Sequence, residues 1–176
     1  MMRARTRLAF VLAACIVGSA EAAAPFVVGI GDKAPEAAGI VLQGPPGTKL
    51  SSLRGKIVLV DFWASYCGPC LQSMPELNAM RAELFREGYA GQFEILSVAT
   101  DSEVEKARRF LQRVQVDFPV VADQIGIAIQ TYKLWRLPAT YLVDRRGHVS
   151  MIYAGYGPGY TADVKQRVLA LLKQPS

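Results

Sequence analysis

The stretch from Lys56 to Cys70 constrains the fold more than any other part of this chain. Ile57-Val58-Leu59-Val60-Asp61-Phe62-Trp63 is one apolar run, broken only by Asp61. A short run of this kind, without alternation, reads as a central strand buried on both faces. Cys67-Gly68-Pro69-Cys70 follows almost at once. A helix is then predicted from about Pro69 to Glu87, with Leu77, Met80, Leu84 and Phe85 on one side. Pro69 suits a helix's first turn, and Pro75 inside the helix predicts a kink.

Downstream, strand and helix patterns alternate. Phe93–Ala99 reads as a strand. Glu103–Gln115 reads as a helix, with Val104, Ala107, Leu111 and Val114 at helical spacing. Phe118–Val121 is a short strand and Ile125–Tyr132 a short helix. Thr140–Val143 and Val149–Tyr153 form a hairpin across Arg145-Arg146-Gly147, and Ala162–Leu172 is a closing helix. Upstream, Ile40–Leu42 and Leu50–Leu53 flank Gly44-Pro45-Pro46-Gly47 and read as a small hairpin packed on the start of the domain. The expectation is an α/β fold: a central mixed sheet flanked by helices, with an N-terminal β-hairpin and a central αβ insertion.

The first 24 residues read as a leader and 25–176 as one domain. Arg3, Arg5 and Arg7 form a basic start, Leu8 to Gly18 an apolar stretch too short to span a bilayer comfortably, and Ala20-Glu21-Ala22 a small-residue cleavage site. Most of the basic excess lies there. The whole chain carries +5, but without residues 1–22 it holds 17 basic against 14 acidic residues. No basic stripe interleaved with aromatics appears, so nucleic acid is not an expected partner. Two readings of Cys15 stay open. Leu12-Ala13-Ala14-Cys15 resembles a lipobox, which would make Cys15 a lipid anchor, but Ile16-Val17 continues the apolar run past it.

The domain itself then holds two cysteines, Cys67 and Cys70. A disulfide closing so short a loop removes little chain entropy, so the pair is expected to react rather than to brace. Cys67 falls at or beside a helix N-cap, where unpaired N–H groups and the helix dipole favour a thiolate. Thiolate is the attacking species in disulfide exchange, which makes Cys67 the candidate nucleophile. Cys70, one helical turn on and more buried, can attack the mixed disulfide and release product. Gly68 leaves room for a substrate backbone. Half of a zinc site is the competing reading, but zinc needs two further ligands and this domain offers His148 alone as histidine. A pair of inert core cysteines is the other. No metal and no cofactor is expected.

Val60 to Cys70 closely resembles the thioredoxin active-site segment, and Pro75 matches its proline five residues beyond the second cysteine. Leu137-Pro138-Ala139-Thr140 is similar to that superfamily's cis-proline loop, which faces the cysteines and pairs with substrate backbone. The rest is similar to exported proteins of the TlpA, ResA and cytochrome c biogenesis type. Gly31-Asp32-Lys33-Ala34-Pro35, Leu53–Val60, the insertion from Asp101 to Asp123 and Tyr141–Val149 carry that likeness. Two features depart from the cytochrome-biogenesis subgroup. Ser73 stands where a glutamate is common, and Asp61 matches the buried thioredoxin aspartate, which the subgroup often lacks.

The resemblance implies a thioredoxin-like fold and an extracytoplasmic thiol–disulfide oxidoreductase. Its Gly-Pro dipeptide resembles that of the reducing members, which implies a reductase of protein disulfides. Apocytochrome c or copper-site proteins are the implied substrates, a general periplasmic thioredoxin-like reductant is the alternative reading, and a membrane electron donor is the implied partner. Trp63, Tyr66, Pro69, Leu137 and Pro138 are expected to form an apolar rim, with Pro138 in a cis peptide. Asp61 is expected to be buried and to take the proton of Cys70. Two other classes remain as comparators, a peroxidase and a redox-inert binding module. Peroxiredoxins carry their nucleophile in a Thr-x-x-Cys setting, whereas Ala64 stands three residues before Cys67.

Overall fold

The computed structural model describes residues 28–174. The leader, Cys15 and the lipobox lie outside the described residues. Six strands form one mixed sheet: β1 Ile40–Gln43, β2 Ile57–Trp63, β3 Phe93–Ala99, β4 Val120–Ala122, β5 Ala139–Val143 and β6 Val149–Ala154. Their order is β1-β4-β3-β2-β5-β6. The pairs β2–β3 and β3–β4 are parallel, and β1–β4, β2–β5 and β5–β6 antiparallel. Four helices flank the sheet: α1 Cys70–Leu84, α2 Val104–Arg113, α3 Ile127–Thr131 and α4 Tyr160–Leu172. This is the mixed sheet with flanking helices that the order of elements predicts, and the thioredoxin-like fold that the resemblance implies.

Every residue of β2 is buried, as its unbroken apolar run requires of a strand covered on both sides. Alternate residues feed two cores. Ile57, Leu59 and Trp63 pack with Cys70, Met74 and Leu77 of α1, Ala107 and Phe110 of α2, and Val164 and Val168 of α4. Val58, Val60 and Phe62 pack on the other face with Ala128 of α3, Tyr132, and Val28, Ala37 and Leu50 of the N-terminal segment. Asp61 falls by alternation on the α1 and α4 side.

The expected N-terminal hairpin does not form. Ile40–Gln43 pairs instead with β4, in the register Ile40↔Ala122 and Val41↔Val121. Gly39 makes the approach possible: a Cβ there would stand 2.1 Å from the Ala122 carbonyl oxygen. Gln43 closes the strand by donating Nε2 to the carbonyls of Val116 and Phe118, at 2.6 and 2.9 Å. Leu50–Leu53 is a single 3₁₀ turn with Leu50 buried. Its leucines are three apart, the spacing of such a turn rather than of a strand. The third core strand also starts later than Phe118. Pro119 has no N–H to donate, although its carbonyl accepts from Ser97 N at 3.0 Å.

Candidate active site

The cysteines stand where β2 ends and α1 begins. Thr100 holds that end of the strand by donating both N–H and Oγ1 to the Trp63 carbonyl, at 2.8 and 3.0 Å. Asp101, itself buried, accepts from Ser65 N at 2.9 Å and from Ser65 Oγ at 2.6 Å, which pins the loop ahead of Cys67. Cys67 N then donates to Ala64 O, and Cys70 N to Cys67 O. The helix N-cap is Pro69, which offers no side-chain cap. Cys67 is two residues ahead of it, on the side where the first-turn N–H groups point.

Cys67 and Cys70 form a disulfide, with their Cα atoms 5.4 Å apart. Cys67 is 6% exposed and Cys70 fully buried. An incoming thiolate can therefore reach the first sulfur and not the second. Cys67 also lines a groove of about 390 Å³ together with Tyr66, Gly68, Pro69, Trp135 and Leu137. Tyr66 and Trp135 are 77% and 78% exposed, so two large aromatic side chains stand in solvent beside the reactive sulfur.

Of the expected rim, Tyr66, Gly68 and Pro69 are exposed and Leu137 is half-buried. Trp63 is not part of it. Its side chain is fully buried, and its indole Nε1 donates to Ser97 Oγ at 2.7 Å. Strand alternation sends it into the helix-covered core, against the Phe110 ring at 4.6 Å between centroids. Pro138 is buried too; the Leu137–Pro138 peptide is cis, and the Pro138 carbonyl accepts from Gly155 N. Sequence reasoning missed Trp135, together with Leu134 and Ile129 in the same groove. A tryptophan in the loop just ahead of Leu137-Pro138 was the available signal.

Asp61 is 0% exposed. In the sheet it lies between Ser97 of β3 and Thr140 of β5. Thr140 Oγ1 donates to its Oδ1 at 3.3 Å, while Oδ2 finds no hydrogen-bond partner among the described residues. Burial pushes its pKa from 3.8 up to about 7, against a smaller opposing pull from the Thr140 hydroxyl. Ser73, one turn beyond Cys70, is equally buried and its Oγ equally without a partner among the described residues. Glu76 does not compensate. It sits at the surface, accepting from the Tyr156 and Thr161 hydroxyls, which hold its carboxyl below the usual range.

The AhpC/TSA family model matches residues 30–152. The chain belongs to that family. Within it, the chain resembles proteins that exchange disulfides. It is 32% identical over 128 residues to the thiol-disulfide oxidoreductase ResA of Geobacillus kaustophilus, covering 73% of this chain and 71% of that one. It is 31% identical, again over 128 residues, to the thioredoxin-like protein YneN of Bacillus subtilis, covering 71% of each. Among solved structures it superposes on a "putative Thiol:disulfide interchange protein DsbE" from Chlorobium tepidum. That match has a TM-score of 0.74 and 36% identity, over 82% of this chain and 99% of that one. The protein is a thiol–disulfide oxidoreductase with a thioredoxin-like fold.

Proposed function

We propose that the protein works outside the cytoplasm as a reductase of protein disulfides, with Cys67 as nucleophile and Cys70 as the resolving thiol. The observation that carries the assignment of roles is the asymmetry of the pair: Cys67 opens into an apolar groove and Cys70 is sealed beneath it. In the reduced protein the Cys67 thiolate attacks a substrate disulfide, joins one sulfur and expels the other. The Cys70 thiolate then attacks Cys67 Sγ, closing the Cys67–Cys70 disulfide and releasing the substrate as a dithiol. The pair gives up two electrons, and a membrane donor restores them. Tyr66, Gly68, Pro69, Trp135 and Leu137 hold an extended substrate segment, with the loop at Pro138 beside its backbone.

Cys70 must lose its proton before it attacks, and Asp61 is the base we assign to that step. A carboxyl poised near pH 7 can accept a proton and give it up again at neutral pH. Ser73 cannot serve as a base there. The basic, apolar N-terminus of the sequence supports export. In that oxidising setting such a reductant is needed where cysteines must stay free to take haem or copper, so apocytochrome c and copper-site proteins are the proposed substrate classes. Replacing Cys70 with Ala, purifying the protein from its native envelope and identifying what is disulfide-linked to Cys67 tests this. Trapped haem- or copper-binding proteins support it; recovery of the protein with no cysteine-linked partner overturns it.

A further inference from the structure

Behind Asp61 lies a second hydroxyl that the mechanism above does not use. Thr140 Oγ1, which donates to Asp61 Oδ1, also lies 2.6 Å from the Tyr160 hydroxyl. A threonine hydroxyl has one proton. While that proton points to the Asp61 carboxylate, Tyr160 is the donor of the shorter bond. The order is therefore Tyr160 to Thr140 to Asp61. Thr140 is 0% and Tyr160 5% exposed, so the chain of hydroxyls is shielded along its length.

Tyr160 is the first residue of α4 and lines a groove of about 810 Å³ with Gln72, Glu76 and Tyr156. Pro69 stands between this groove and the one that holds Cys67, since it lines both. The Tyr160 groove thus lies across Pro69 from the groove that a substrate joined to Cys67 would occupy.

We propose that Thr140 and Tyr160 relay protons between Asp61 and the groove beside Glu76, so that Asp61 exchanges protons with water while substrate covers Cys67. The proposal rests on the reading of Asp61 as the base for Cys70. When Asp61 takes the Cys70 proton, its carboxyl becomes a donor. Thr140 accepts that proton and passes its own to Tyr160, and Tyr160 releases its proton to water in the groove. One proton leaves Asp61, one reaches water, and both hydroxyls end neutral. The two O–H groups turn toward the groove before this transfer, and the transfer itself leaves them in the first order, Tyr160 to Thr140 to Asp61.

No tyrosinate accumulates, because burial and the nearby Asp61 hold the Tyr160 hydroxyl far above the usual tyrosine range. Other charged or titratable groups around the relay are Glu76 and, in the reduced protein, Cys70 from α1, Tyr153 from β6, Tyr156 from the loop before α4, Asp163 of α4 and Arg136 from the loop before β5. Ser97 of β3 flanks Asp61 in register and does not titrate.

The test mixes reduced protein with Ellman's reagent. The first release of thionitrobenzoate reports Cys67 attack and the second reports Cys70 attack. In Tyr160→Phe and Thr140→Val the first phase should stay within about twofold of wild type. The second should slow about tenfold at pH near 6, where Asp61 must shed a proton before it can act, and should converge on wild type at pH near 8.5. Its solvent-isotope dependence should change from a bowed proton inventory to a linear one, which a simple shift of the Asp61 pKa would not produce. Thr140→Ser should restore wild-type behaviour. If Asp61→Asn leaves the second phase unchanged, the base assignment itself fails. If Asp61→Asn slows it but Tyr160→Phe and Thr140→Val do not, the relay is wrong and the base assignment stands. Equal slowing of both phases, or a bowed inventory retained in Tyr160→Phe, also overturns the relay.

Discussion

Replacing Asp61 with Asn should change the pH dependence of stability in a way that follows from the sheet. The carboxyl is fully buried, with Thr140 as its one side-chain donor among the described residues. Its pKa is 3.8 when solvated and about 7 in the fold. Between those values the folded chain binds more protons than the unfolded chain, so stability falls as pH rises through this window and levels off above about 7. At about 1.4 kcal/mol per unit, the ionised carboxylate costs about 4 kcal/mol on the alkaline side. The asparagine side chain can still accept from Thr140, and its amide nitrogen replaces an oxygen that also lacked a partner. The two proteins should therefore match near pH 4, and the variant should become the more stable by up to about 4 kcal/mol near pH 8. Urea unfolding of the oxidised forms measures this, because the disulfide keeps the cysteines from titrating. Ionisations common to both proteins cancel in the difference. A difference that stays constant from pH 4 to about pH 8 would show that Asp61 ionises normally in the fold and would refute the argument.

Four further outcomes are expected. Cys67→Ser should abolish turnover of every disulfide, whereas Cys70→Ser should allow the first attack and accumulate mixed disulfides on non-reducing gels; the opposite pattern reverses the assignment. Trp63→Ala should destabilise the oxidised protein by about 3–5 kcal/mol in denaturant, since a fully buried indole is lost. Trp135→Ala should leave stability within about 0.5 kcal/mol and instead raise KM for a peptide disulfide with kcat kept. Mass spectrometry of the mature N-terminus should find a chain beginning near Ala23, a result that excludes lipid on Cys15; a diacylated Cys15 contradicts it.

The central elements were legible because their signals are local. Phe93–Ala99 is apolar through most of its length and bounded by turn residues, and it is a strand with those limits. The cysteine pair and the helix behind it follow from Pro69 and from the spacing of Leu77 and Leu84. The N-terminal segment was not legible, because its partner is distant in sequence. Ile40 pairs with Ala122 across a register that no local pattern announces. In α2 the spacing pointed to Leu111, yet Phe110 is the residue that fills the core against Trp63, and Leu111 is only partly buried. Trp63 illustrates a third limit. Its place in the motif suggested the rim, but the period-2 rule of a strand already assigns it to the face of Leu59 and Ile57, which is core.

Three polar side chains lie side by side on the helix-covered face of the sheet: Ser97 on β3, Asp61 on β2 and Thr140 on β5. Two have structural partners that account for them. Ser97 accepts the Trp63 indole, which would otherwise be buried with an unpaired N–H. Thr140 joins Asp61 to Tyr160. Asp61 is different, because its one hydrogen bond is long and half of its carboxylate has no partner among the described residues. An apolar residue of similar size would relieve the desolvation penalty and leave the strand pattern unbroken. A sequence that places a costly acid there, on the sheet face that α1 and its sealed Cys70 cover, breaks its own local rule, and such breaks concentrate where chemistry is done. The same desolvation that weakens the fold brings the carboxyl near pH 7, so the stability lost at Asp61 and the proton it can exchange have one physical source.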